Sequence, residues 1–153
     1  MTMLADARGH GIDLALFVHV AGAMILMGGL VTAAAAGIIG WRDSDSGLRR
    51  LSALTLFAVA LPGWIVMRVA AEWVYSKEHL DELKDDPTWI TIGFITSEGG
   101  GLILLVALIL GGIGVRRARS GGGAGLLKAS TVLAAVLIAV YVVTVWAMGG
   151  KPG

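Results

Sequence analysis

LALFVHVAGAMILMGGLVTAAAAGII, residues 14–39, is 26 consecutive positions without Asp, Glu, Lys or Arg. As an α-helix such a run reaches about 39 Å, more than the roughly 30 Å of a bilayer's hydrocarbon. No polar face recurs within it, so in water it would have nowhere to turn. Three more runs of this kind follow. The four spans read as about Ile12–Gly40, Leu51–Tyr75, Trp89–Val115 and Leu126–Met148. The spacing predicts an all-α, four-helix transmembrane bundle occupying residues 1–153 as one domain.

Composition agrees. Apolar residues make up 56% of the 153, charged residues 15%, and mean hydropathy is +0.81. Ordinary soluble domains are nearer 45–50% apolar and about a quarter charged. The net charge of +1 offers no field for nucleic acid. Without cysteine there are no disulfides, thiolate metal sites or thiol nucleophiles. The first run is too long for a signal-peptide core and lacks a basic leader, although Ala33–Ala36 would suit a cleavage site.

Loop charge sets the expected orientation. Arg42, Arg49 and Arg50 follow the first span, and Arg116, Arg117 and Arg119 follow the third. The segment after the second carries Glu78, Asp81, Glu82, Asp85 and Asp86 against Lys77 and Lys84. The basic loops are therefore expected in the cytoplasm, and the acidic loop and both termini outside, in a bacterial inner membrane. A short surface helix is expected in the acidic loop, capped by Ser76 and ended by Pro87. Gly121–Gly123 reads as a flexible link. Gly37-Ile-Ile-Gly-Trp-Arg42 faintly echoes Gly111-Gly-Ile-Gly-Val-Arg116.

Lipid gives no hydrophobic drive for helix association, so close backbone approach matters. Small residues recur at Gly29, Ala33 and Gly37, at Ala107 and Gly111, and at Ala135 and Ala139. These stripes predict packing within the bundle, or between copies. Pro62-Gly63, mid-span, predicts a kink that aids packing or splays the helix to open a pocket.

Ionisable groups inside a span are costly and mark functional candidates. There are four: His19, Arg68, Glu72 and Glu98. Counted from the span ends at about 1.5 Å per residue, His19 and Arg68 lie roughly 10 Å deep, Glu98 roughly 14 Å and Glu72 roughly 5 Å. All four share the outer half, and the inner half reads as uncharged scaffold. Arg68 has Glu72 one turn away and Glu98 on the next span as partners. Tyr141 and Thr144 lie at similar depth and would complete the hydrogen bonding. The same residues suit a register-locking ion-pair network or a ligand or proton site. For His19 alone the options are a haem axial ligand, a proton relay or a satisfied hydrogen-bonding group. Met24, Met27, Met67 or Met148 would have to supply a second axial ligand. His10 and His79 read as solvated.

Leu16-Phe-Val-His19-Val-Ala-Gly22 through Gly28-Gly29 resembles the first helix of a broad bacterial group containing copper-resistance CopD-like proteins, HemJ-like haem proteins and uncharacterised integral membrane proteins. Pro62-Gly-Trp-Ile-Val-Met-Arg68 and Trp89-Ile-Thr-Ile-Gly93 with Glu98-Gly99 look like the uncharacterised set. The resemblance implies haem b on His19. This chain lacks the second intramembrane histidine of the haem-binding relatives and the Met- and His-rich outer segments of a copper handler.

The leading expectation is an accessory or small-ligand-binding membrane protein built around His19, Arg68, Glu72 and Glu98. A haem-binding redox protein and a transporter or channel component are the rivals. Expected partners are the lipid bilayer and a homo-oligomer or larger membrane complex. No GxSxG, HExxH or phosphate-loop motif points to an enzyme.

Overall fold

The computed structural model describes residues 10–77 and 88–150. Those residues form helices joined by short turns. α1 is His10–Arg42, α2 Ser46–Thr55, α3 Leu61–Lys77, α4 Thr88–Ala118 and α5 Ala124–Gly150. A π turn, Leu56–Ala60, joins α2 to α3, so these three form one continuous span. Four helical stretches are long and apolar enough to cross a membrane: Leu14–Arg42, Ser46–Lys77, Ile90–Ala118 and Ala124–Ala147. The spans expected from sequence fall within a few residues of these. The chain thus has the build of a multi-span membrane protein. The acidic segment with His79 and Pro87, and its expected surface helix, lie outside the described residues. Ser76, expected to cap it, sits in the last turn of α3, and its hydroxyl donates to the Trp73 carbonyl at 3.0 Å.

Pro62 explains the π turn. A proline inside a helix has no N–H to donate, and its ring crowds the carbonyl four residues back. One extra residue in the preceding turn relieves that crowding, and the Leu61 N–H bonds the Leu56 carbonyl five residues back. The helix continues, and Gly63 then presents bare backbone to α1.

The helices pack in a chain of neighbours. α1 lies against α2–α3 on one side and α5 on the other, and α5 pairs with α4. Glycines set the closest approaches. A Cβ at Gly22 would stand 2.5 Å from the Met67 nitrogen, and one at Gly63 would stand 2.5 Å from the Leu26 nitrogen. Gly29 meets Ala60 in the same way, and Gly37 meets Thr131. The α1 and α4 stripes are therefore spent inside the bundle. The α5 stripe is not, because Ala135 and Ala139 remain exposed. The two echoed glycine motifs share a job: Gly40 admits Arg49, and Gly114 admits Leu127, at the turn that follows each.

The basic end is uncharged inside but not purely apolar. Buried Ser52 donates to the Ala33 carbonyl at 2.7 Å and lies 3.3 Å from the Thr131 hydroxyl. Buried Ser130 donates to the Ala107 carbonyl at 2.8 Å. These bonds tie all four spans together at one level. Interhelical hydrogen bonds in membranes average about 0.6 kcal/mol and reach about 1.7. Ser52→Ala should therefore lower the thermal unfolding midpoint in detergent by only a few degrees, and Ser130→Ala likewise.

The turns at this end are specific. Asp45 caps α2 through Gly47 and Leu48. Gly121 and Gly123 adopt φ of 83° and 85°, which suits glycine alone, and the Gly122 N–H bonds the Arg117 carbonyl. The expected flexible link is a tight, hydrogen-bonded turn.

Candidate functional site: a polar bridge across an open seam

The second and third spans touch firmly only at the basic end, where Gly111 meets Ala53 and Gly112 lies beside Phe57. Toward the opposite end α3 and α4 part, and the contacts between them become sparse. What crosses the seam there is mostly polar or aromatic. Arg68 Nε donates to Glu98 at 2.8 Å, and Arg68 Nη1 donates to Glu72. The guanidinium lies 5.5 Å from the Phe94 ring centroid, and Tyr75 meets Phe94 edge-on at 5.4 Å. The Trp64 indole donates to the Ser97 carbonyl at 3.3 Å.

The cluster has an asymmetry with chemical meaning. The Arg68 side chain is 22% exposed, whereas those of Glu72 and Glu98 are 53% and 61% exposed. The cation is sheathed and the carboxylates face outward. With all three ionised the cluster carries a net −1 on its open side. Glu98 lies about 15 Å along α4 from Thr88, so that side is presented within the membrane's thickness.

Glu98 also lines a groove of about 220 Å³ between α3 and α4, with Leu61, Trp64, Gly101, Leu105 and Leu108. The groove is almost wholly apolar and open to the side. It runs from Glu98 toward mid-membrane at Leu108, about 15 Å along α4. Trp64 forms its floor by lying over Gly101, where a Cβ would come within 2.4 Å of the indole.

Behind Trp64 the seam stays polar. Tyr141 is buried with its hydroxyl against Gly100. The Trp64 indole is close enough to influence that hydroxyl, but its N–H is committed to Ser97, and Tyr141 Oη has no hydrogen bond of good geometry. Ser97 Oγ is also buried and unpaired. Two orphan hydroxyls beside the groove are unusual, because buried polar groups are nearly always bonded to protein or water.

The residues expected to converge therefore separate into three groups. Arg68, Glu72 and Glu98 meet, with Arg68 bonding both carboxylates. Tyr141 stands one layer behind them. Thr144 does not take part: its hydroxyl donates to the Val140 carbonyl on its own helix at 3.0 Å. His19 is not bonded to the cluster either. Its Nδ1 lies 3.0 Å from the Met67 carbonyl on the α1-facing side of α3. Since a carbonyl only accepts, Nδ1 carries a proton, and in the neutral ring Nε2 then keeps its lone pair. That tautomer fits a single axial ligand to haem iron. Met24 lies about 140° around α1 from His19 and is 71% exposed, so those two cannot face one iron. No group of three metal-ligating side chains occurs among the described residues.

Trp64, Phe94 and Ser97 were not among the expected site residues. Trp64 stands beside Pro62-Gly63, and that proximity was the available signal. Phe94 and Ser97 fall one turn and one residue from Glu98, with nothing else to distinguish them.

No protein-family model, curated protein or solved structure matches the chain. The likeness of the first helix to CopD-like and HemJ-like proteins rests on its quoted residues alone.

Proposed function

We propose that this protein binds a small amphiphile with a cationic or hydrogen-bond-donating head, taken from the bilayer through the seam between α3 and α4. The carrying observation is that an exposed carboxylate, Glu98, forms the mouth of an apolar groove. A head group would meet Glu98 and Glu72, and its tail would lie along Leu105 and Leu108. Arg68 holds both carboxylates in place and, being sheathed, does not repel a cation strongly. The protein sits in a bacterial inner membrane with its basic loops in the cytoplasm, so this site faces the extracytoplasmic half. The role is binding or accessory, alone or within a larger membrane complex, rather than catalysis.

Decyltrimethylammonium is a suitable probe, because about ten carbons match the groove. Titrated into the protein in lipid nanodiscs, it should bind saturably, and Glu98→Gln should weaken binding by tenfold or more. Equal binding by wild type and Glu98→Gln would dismiss the proposal.

A second reading rests on His19, whose free Nε2 suits a haem b iron. Haem would supply one-electron chemistry there. Protein purified from cells supplied with haem should then show a Soret band that His19→Ala removes. Identical spectra for the two would end that reading.

A further inference from the structure

A second groove, of about 350 Å³, lies at the basic end between α1 and α5, far from the Arg68 cluster. Its walls are Ile38, Val132, Ala135, Val136 and Ala139, with Trp41 at its outer end. The small α5 stripe, left exposed, forms part of the groove wall. Lys128 stands one turn nearer the membrane surface than Val132, and its ammonium lies 5.3 Å from the centre of the Trp41 ring. The Trp41 indole nitrogen is buried and has no hydrogen-bond partner. No acidic residue lines this groove.

From the surface inward the order is cation, indole donor, then about 10 Å of hydrocarbon-lined channel along Val132–Ala139. That is the order of an anionic phospholipid: phosphate, ester region, acyl chain. The geometry points to a specific site for one anionic phospholipid between α1 and α5. Lys128 meets the phosphate, helped by the partial positive charge at the N-terminal end of α5. The unpartnered Trp41 N–H is the donor that an ester or phosphate oxygen would take. One acyl chain covers Ala135 and Ala139. A second copy of this chain is a poorer occupant, because it would bring its own basic loops against Lys128.

Native mass spectrometry of the delipidated full chain tests the site, using phosphatidylglycerol, phosphatidylcholine of the same chains, and inorganic phosphate. Wild type should bind one phosphatidylglycerol about fivefold more tightly than phosphatidylcholine, the ratio expected for one basic residue at the membrane surface. Lys128→Gln should abolish the preference. Ala135→Phe, on an exposed position, should block both lipids while circular dichroism and the unfolding midpoint stay at wild-type values. Inorganic phosphate should not compete. Equal affinity for the two lipids, an undiminished preference in Lys128→Gln, or unchanged binding by a folded Ala135→Phe would each overturn the site. So would competition by inorganic phosphate, or a dimer that excludes lipid from the groove.

Discussion

Gly63→Leu should abolish the folded bundle. A Cβ at this position would lie 2.5 Å from the Leu26 nitrogen and 2.9 Å from its Cα, which are backbone atoms that cannot rotate away. α1 and α3 would have to separate along their whole contact. That would uncover Gly22 against Met67 and break the His19 bond to the Met67 carbonyl. Overpacking typically costs 1–3 kcal/mol, and a clash with backbone belongs at or above the top of that range. Gly99→Leu is the control, since nothing lies within 4 Å of its added Cβ. Size-exclusion profiles and thermal scans in detergent should show Gly63→Leu aggregated or unfolded, with Gly99→Leu close to wild type.

The second large effect is an imbalance within the ion cluster. Arg68→Met should destabilise far more than Glu98→Gln. Removing Arg68 leaves Glu72 and Glu98 with no partner charge inside the membrane, and they must take up protons or face hydrocarbon. Glu98→Gln keeps an acceptor for Arg68 Nε and leaves Arg68 neutralised by Glu72. Exposed pairs contribute about 0–1 kcal/mol, whereas breaking a buried pair costs about 3–5. A sheathed cation with exposed carboxylates belongs between, at about 2 kcal/mol for Arg68→Met and under about 1 for Glu98→Gln. The double variant should recover part of the Arg68→Met loss, because one uncompensated carboxylate is gone. A double-mutant cycle on thermal midpoints measures the coupling directly.

Much of this architecture is legible in the sequence because the bilayer imposes it. Length and uncharged runs are enough for four helices, and glycine spacing for close packing between them. Arg68 meeting both carboxylates follows from their shared depth and the one-turn spacing of Arg68 and Glu72. Depth is blind to azimuth, however. His19 lies near the right level but bonds Met67, and Thr144 satisfies itself one turn back, which any threonine in a helix is free to do. The Ser52–Thr131 and Ser130–Ala107 bonds were hidden for a similar reason. Serine and threonine carry little signal in an apolar run, and whether they face a neighbour depends on helix rotation. The groove arises where two helices part and contact becomes sparse. No single residue encodes it, although Pro62-Gly63 fixes where α3 crowds α1 instead of α4.

Photocrosslinking tests the central claim most directly. A decylammonium carrying a diazirine at mid-chain, irradiated with the protein in nanodiscs, should label Leu61, Leu102, Leu105 and Leu108 in preference to exposed Val142, Val143 and Val145 on α5. Glu98→Gln should erase the preference while leaving background labelling unchanged. Uniform labelling of both faces, or a groove signal indifferent to Glu98→Gln, would contradict a carboxylate-headed ligand groove between α3 and α4.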